Sequence, residues 1–230
     1  MTIHYHGTPI TSRAVLNTLA GKHFCVSHSS PNDVAVCHSI GQSVMLDNGA
    51  FSAWRVGRPT NWPKYYAWVE PWLDYRTTWA VIPDVIGDSE ADNDALLDQW
   101  PFGQRGAPVW HMHEPIKRLL MLAERWDRIC IGSSGDYSVV GSPHWCGRMN
   151  AAMNDLCGDG PAPVWLHMLR GMALVGSGYP FSSVDSTNVA RNHNRPGNAA
   201  LDMVNKWDAI QCPARWKRRP TQTELGLETA

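Results

Sequence analysis

The chain has 230 residues, of which 43% are hydrophobic and 18% are charged, and its formal net charge is -1. This balance predicts one globular domain with a buried core and argues against a disordered chain. A net charge near zero excludes a global positive field, so any contact with nucleic acid needs a local basic patch. We expect no signal peptide and no membrane segment, and the six scattered cysteines suggest reduced thiols in a cytoplasmic protein.

The predicted strands are short runs that are nearly continuous in apolar residues. In chain order they cover residues 3–6, 23–28, 43–47, 78–83, 108–113, 128–132, 163–168 and 181–185. Such runs are typical of parallel strands that are buried on both faces. Helices are predicted between them, at residues 33–40, 62–73, 89–99, 115–125, 145–157 and 199–207. Alternating strands and helices indicate an α/β protein with a parallel sheet.

The number of strand–helix units favours a (β/α)8 TIM barrel, whose usual length is about 200 to over 400 residues. We assign residues 1–212 to a single barrel domain and residues 213–230 to a tail that is first basic and then polar. An open doubly wound sheet is the alternative. No G-x-G-x-x-G follows the first strand, which weakens a dinucleotide-binding version of that alternative.

Three aspartates stand at the carboxyl ends of predicted strands, where a barrel of this kind carries its chemistry. They are Asp47, Asp84 and Asp185. One such aspartate is usually a turn former or a helix cap, but three at equivalent places favour a site. Asp185 and Asp47 are predicted to work as a pair, in which one attacks an anomeric carbon and the other handles protons. Asp84 could accept hydrogen bonds from a purine, and the Gly132 turn could donate backbone N–H groups to its carbonyl oxygen.

The order of these segments resembles that of the tRNA-guanine transglycosylases and their compact phage relatives. Leu46-Asp47-Asn48-Gly49-Ala50-Phe51 is similar to the family's Asp-Ser-Gly-Gly-Phe-Gln motif, and His6-Gly7-Thr8 to its first Gly-Thr segment. Pro83-Asp84 falls where the family has a base-reading aspartate, and His113-Glu114 falls near its base-contacting glutamine, which is absent here. Further similarities are Ile131-Gly132-Ser133 to its Gly-Gly-Leu turn, Leu166-His167-Met168-Leu169 to its methionine segment, and Arg191-Asn192 to the Arg-Asn after its nucleophile.

The resemblance implies that Asp185 is the nucleophile and Asp47 the general acid/base. The base-binding residues that we predict are Asn48, Gly49, Phe51, Asp84, His113, Glu114, Gly132, Ser133, Met168 and Leu169. Contacts with the nucleic-acid backbone are predicted for Arg191, Asn192, Arg195, Arg215, Lys217 and Arg218.

The implied activity is replacement of guanine in nucleic acid by a 7-deazaguanine, such as 7-cyano-7-deazaguanine, through a covalent Asp–sugar intermediate. No cofactor and no metal ion are expected. The family's zinc site of three cysteines and a histidine is missing, because only Cys212 follows Asp185. That loss favours DNA over tRNA as the substrate. A homodimer is left open.

Two other functions compete with this prediction. His4-x-His6 and His111-x-His113, together with His167 and Asp185, resemble the ligand pattern of the amidohydrolase superfamily of metal-dependent barrels. A non-catalytic nucleic-acid-binding paralogue is the second alternative. Such paralogues lose one of the paired aspartates, whereas this chain keeps both.

Overall fold

A single parallel sheet forms the centre of the protein. The computed structural model describes residues 1–87 and 89–221. The strands are β1 (Ile3–Gly7), β2 (His23–Ser27), β3 (Ser43–Asp47), β4 (Thr78–Val81), β5 (Gly106–Ala107), β6 (Val109–His111), β7 (Arg128–Gly132), β8 (Trp165–Met168) and β9 (Ser183–Ser186). Their order in the sheet is β5-β4-β3-β2-β1-β9-β8-β7-β6, and all the pairings are parallel.

The sheet curls into a nearly closed barrel because its two end strands are consecutive in the chain. Only Pro108 separates β5, which pairs with β4, from β6, which pairs with β7. The Ile82 amide donates to the Ala107 carbonyl at 2.9 Å, and the Cys130 amide donates to the Pro108 carbonyl at 2.8 Å. The predicted α/β class with a parallel sheet is therefore confirmed, and the barrel is TIM-like.

Helices connect most of the strands on the outside of the barrel. They are α1 (Arg13–Asn17), α2 (Val34–Ile40), α3 (Ala50–Arg55), α4 (Trp62–Leu73), α5 (Glu90–Asp98), α6 (Ile116–Arg125), α7 (Pro143–Cys157), α8 (Asn188–Asn192) and α9 (Ala200–Asp208). Serine or asparagine side chains cap the start of α4, α5 and α7, and in α4 the Asn61 side chain accepts from the Lys64 amide at 2.9 Å. Within the described chain, no helix is long and apolar enough to cross a membrane.

The structure differs in two ways from the pattern of strands and helices that the sequence predicts. Between β8 and β9 the chain makes only a 3₁₀ turn, Met172–Leu174, in place of an α-helix. The short helices α1, α3 and α8 were not predicted from the sequence, because five or six residues cannot show an apolar period. The predicted helices and strands are otherwise present, with ends that differ by a few residues.

The strands bury both of their faces, as their apolar runs predict. Alternate residues such as Tyr5, Met45 and Cys130 form an inner cluster within the barrel. Their neighbours, such as Phe24 and Ile131, join the larger core between the sheet and the helices. Because side chains alternate along a strand, each strand supplies residues to both cores.

The described part of the predicted tail, residues 213–221, has no helix or strand but is anchored on α7. Trp216 is 1% exposed, and its indole N–H donates to Asn154 Oδ1 at 2.9 Å. Its ring stacks on Tyr179 with the centroids 5.4 Å apart. The basic stretch is therefore part of the packed core at this tryptophan. The polar end, residues 222–230, lies outside the described residues.

We expect Trp216→Ala to lower the free energy of unfolding by about 3–5 kcal/mol, because it removes a buried aromatic side chain and one of the two donors to Asn154 Oδ1. Urea denaturation followed by circular dichroism measures this change. Trp54→Ala is the matched control, since Trp54 is 55% exposed and its loss should change the free energy by about 0.5 kcal/mol or less. Equal effects of the two substitutions would contradict the anchoring role.

Candidate active site at the carboxyl end of the barrel

A cavity of about 630 Å³ opens where the strands end. It lies at the carboxyl ends of the parallel strands, as in other barrels of this type. Most of the strands contribute to its wall, so residues that are far apart in sequence meet there. They include Gly7, Ser27, Asp47, Asn48, Phe51, Asp84, His111, Gly132, Ser133, Leu169, Arg170, Asp185 and Arg191.

Asp185 lies near the end of β9. Two groups hold its carboxylate, and both contact the same oxygen, Oδ1. The Arg170 amide donates to Oδ1 at 2.7 Å, and His167 Nε2 lies 3.3 Å from the same atom. Arg170 has a φ of 56°, a left-handed conformation that side chains rarely adopt, and this turn aims its N–H at the carboxylate. Within the described chain, Oδ2 accepts no hydrogen bond. Asp185 is 9% exposed and lines the cavity, so Oδ2 is the oxygen that is available to react.

His167 is fully buried inside the barrel, and its neighbours define its tautomer. The Trp165 indole donates to Ser183 Oγ at 2.7 Å, and Ser183 Oγ lies 2.8 Å from His167 Nδ1. Burial lowers the pKa of His167, so the ring is neutral at neutral pH. We infer that Nε2 carries the proton, because that nitrogen faces the Asp185 carboxylate, and that Ser183 donates to Nδ1.

Asp47 is the last residue of β3 and binds its proton more tightly than an exposed aspartate does. Burial, together with the nearby charges of Asp185 and Asp84, raises its pKa to about 6, although a hydrogen bond from Ser27 opposes the rise. The Gly49 amide donates to Oδ2 at 3.2 Å from a left-handed turn with φ 79°, which glycine adopts without strain. A carboxyl that titrates near 6 can both give and take a proton at neutral pH.

Asp84 is held by two neighbours at the end of β4. Asn48 Nδ2 donates to Oδ1 at 2.6 Å, and His111 Nε2 lies 3.0 Å from Oδ2, at ion-pair distance but without the angle of a hydrogen bond. Asn48 also donates to the Ile82 carbonyl and accepts from the Ala50 amide, both at 2.8 Å. Both N–H bonds of the Asn48 side chain are thus used within the protein, and one of them positions Asp84.

Arg170 also lines the cavity, and it is not among the site residues predicted from the sequence. Its guanidinium lies 4.1 Å from the centre of the Phe51 ring, and its Nη2 donates to the Ser133 carbonyl at 3.3 Å. Ser133 Oγ accepts from the Trp145 indole at 2.9 Å, so the Gly132–Ser133 turn is held from both sides. The only sequence signal for Arg170 is that it follows the end of β8.

Several predicted base-binding residues do not reach the cavity. Glu114 is buried and accepts from Arg118, Asn93 and the His111 amide, at 3.1, 3.2 and 2.9 Å. This internal network binds both of its oxygens, and Glu114 does not line the cavity.

His113 and Met168 also lie elsewhere. His113 is exposed and contacts Ser134 Oγ at 2.7 Å, outside the cavity wall. Met168 is fully buried in the outer core, because it alternates with the inward-facing His167 and Leu169. Gly49 shapes the turn after Asp47, but it is not in the wall.

Of the predicted backbone-binding residues, only Arg191 lines the cavity. Asn192 donates to the Asn188 carbonyl within α8, and Arg195 is exposed beyond that helix. The Arg215 side chain and the Arg218 amide bind Asp159, in the turn that precedes β8. That turn, with the exposed Lys217 nearby, lies at the amino end of the barrel, so this group does not share a surface with the cavity.

The histidine pattern behind the metallohydrolase alternative is not assembled. His4 and His6 face outward to Asp208 on α9, with His6 Nε2 3.0 Å from its carboxylate. His167 and Asp185 are inside the barrel, on the other face of the sheet. Across residues 1–87 and 89–221, no group of three or more His, Cys, Asp or Glu side chains is arranged to hold a metal ion.

Comparison of the chain with protein-family models, with curated proteins and with solved structures finds no match.

The raised pKa of Asp47 predicts a pH-dependent stability. The carboxyl titrates near 3.8 when unfolded and near 6 when folded, so the unfolded state binds fewer protons between these values and stability falls as pH rises through them. Asp47→Asn removes this penalty. We expect it to raise the free energy of unfolding at neutral pH by about 1–2 kcal/mol, allowing for water in the cavity, and to have no such effect below about pH 4.

Urea denaturation at several pH values tests this expectation. Asp98→Asn, which removes an exposed carboxylate on α5, is the control and should leave stability unchanged at every pH. A destabilising effect of Asp47→Asn at neutral pH would contradict the assigned pKa direction.

The tautomer of His167 is open to direct measurement. We expect the ¹⁵N shifts of its ring to be those of a neutral imidazole with the proton on Nε2, and to stay so at mildly acidic pH because burial disfavours the charged form. A proton on Nδ1 would contradict the proposed bond to Asp185.

Proposed function

We propose that this protein is a base-exchanging glycosyltransferase that replaces guanine in nucleic acid, and DNA in particular, with a 7-deazaguanine. The observation that carries the proposal is that Asp47 and Asp185 line one cavity and interact electrostatically there. They have the two properties that the reaction needs, which are a free carboxylate oxygen and a carboxyl with a pKa near neutrality.

In the proposed first step, Oδ2 of Asp185 attacks C1′ of the target nucleotide, and the bond from C1′ to guanine N9 breaks. The bonding electrons stay on guanine, which takes a proton from the protonated Asp47. In the second step, N9 of the incoming 7-deazaguanine attacks C1′ and displaces Asp185. Asp47, now a carboxylate, takes the N9 proton, and the enzyme returns to its starting state.

Two further features support a nucleotide as the substrate. Asp84 is oriented by Asn48 and faces the same cavity, where its carboxylate can accept from the N–H groups of a purine. Exposed arginines also line the cavity, and among the described residues none of them is within ion-pair distance of a carboxylate. They are Arg55, Arg170 and Arg191. Guanidinium groups beside a base-sized pocket suit the phosphates of a flipped nucleotide.

The proposal also includes an eight-stranded barrel and a location in the cytoplasm. Counting β5 and β6 as one strand interrupted at Pro108 gives the eight strands of a (β/α)8 barrel. We propose a cytoplasmic protein, in keeping with its six unpaired cysteines. The absence of the family's zinc-ligand set from the sequence favours DNA over tRNA.

The test is a single-turnover reaction with a guanine-containing DNA oligonucleotide in the absence of an incoming base. We expect a covalent protein–DNA adduct that resists denaturation, with release of free guanine. Asp185→Ala should abolish the adduct, and Asp47→Asn should slow its formation by about 10²–10⁴-fold, because the leaving base loses its acid. Intact-protein mass spectrometry measures the adduct.

Asp98→Asn, on the outer surface of α5, is the control and should form the adduct at the normal rate. An adduct that persists in Asp185→Ala would overturn the assignment of the nucleophile. Adduct formation with tRNA but not with DNA would retain the chemistry and replace the substrate.

A further inference from the structure

A second cavity, of about 290 Å³, opens at the opposite end of the barrel. We call it the amino-end cavity, because Ser43, Thr78, Arg128 and Trp165 in its wall are the first residues of their strands. The proposed function does not use it.

The two cavities are separated by the inner cluster. On β3, Met45 lies between Ser43 in the amino-end cavity and Asp47 in the first cavity, and it is fully buried. On β7, Cys130 is likewise fully buried between Arg128 and Gly132. A ligand in one cavity therefore does not share contacts with a ligand in the other.

The amino-end cavity is positively charged. Its wall contains Arg76, Arg105 and Arg128, and no Asp or Glu among residues 1–87 and 89–221 lines it. Among the described residues, no carboxylate lies within ion-pair distance of these arginines. Arg105 donates to the Leu73 carbonyl, which holds it at the edge of the cavity. The three guanidinium groups come from separate segments of the chain, so their convergence is a property of the fold.

Arg128 is the central group of this wall. Its guanidinium lies 4.6 Å from the centre of the Trp79 ring and 5.5 Å from that of Trp165. Its Nε is buried and has no hydrogen-bond partner in the part of the chain that the structure describes. The two indole rings stabilise the cation and fix its plane, but they supply no hydrogen-bond acceptor. Burying a cation without an anionic partner is costly, so an anion at this place would stabilise the protein.

We propose that the amino-end cavity binds the phosphate group of a small ligand, with Arg128 as the main contact and Arg76 and Arg105 at the rim. A guanidinium held in a fixed plane presents paired N–H donors that match the oxygens of phosphate. A wall with more than one arginine matches a doubly charged phosphate better than it matches a ligand with a single carboxylate. The volume is sufficient for a phosphate with a small organic substituent.

Isothermal titration calorimetry at low ionic strength tests this proposal with two probes, inorganic phosphate and ribose 5-phosphate. We expect saturable binding that Arg128→Gln weakens by about tenfold or more, since one charge-assisted contact is lost. Tighter binding of ribose 5-phosphate would indicate an organic phosphate as the ligand, and equal binding would indicate free phosphate. If neither probe binds saturably at millimolar concentration, the proposal is wrong.

A matched variant separates the effect of Arg128 from that of losing any positive charge. Arg58→Gln removes an exposed arginine that lines neither cavity and should leave the affinity for phosphate unchanged. Binding that is lost in Arg58→Gln and kept in Arg128→Gln would overturn the proposal. If Arg128→Gln fails to fold, Arg76→Gln provides the test, because Arg76 is exposed. It should weaken binding by about threefold or more, and an unchanged affinity would count against the site.

Discussion

The arrangement of the site depends on one constraint, which is that a closed parallel sheet brings the carboxyl ends of all its strands to one rim. Asp47 and Asp185 lie at or near the carboxyl ends of β3 and β9, and Asp84 follows β4, so they come from strands that are not all neighbours in sequence. The junction at Pro108 closes the ring by joining the strand that pairs with β4 to the strand that pairs with β7. Without this closure the wall between Asp84 and Gly132 would be open, and the cavity would lose its shape.

Bringing carboxylates together in a partly buried cavity is electrostatically unfavourable, and the protein offsets the cost mainly with neutral donors. Backbone N–H groups of Arg170 and Gly49, the amide of Asn48 and the imidazole of His167 all face these carboxylates. The three aspartates are not equivalent, because each carboxylate receives different hydrogen bonds. Asp47 keeps a pKa near 6, whereas Asp185 is left with one bound oxygen and one free one. That asymmetry supports the proposed division into a proton carrier and a nucleophile.

The sequence identified most of the secondary structure because buried parallel strands leave continuous apolar runs, as at Ser43–Asp47 and Arg128–Gly132. The sequence was a poorer guide to the site residues, because contacts with residues far away in the chain decide where their side chains lie. The resemblance to the transglycosylase motifs predicts Glu114 and Met168 as base-binding residues, but Glu114 pairs with Arg118 and Met168 faces the outer core. A shift of one residue along a strand reverses the face of a side chain, and resemblance between motifs does not resolve such a shift.

The sequence by itself determined the α/β class, the succession of strands and helices, and the aspartates at the strand ends. These are local properties, set by hydrophobic pattern and turn chemistry. Only the tertiary structure decided that Asp47 and Asp185 share a cavity, that Arg170 closes its wall, and that the basic tail packs at the far end of the barrel. These features depend on contacts between residues that are widely separated in the chain, and the physical reason is that packing and closure, rather than local pattern, set such distances.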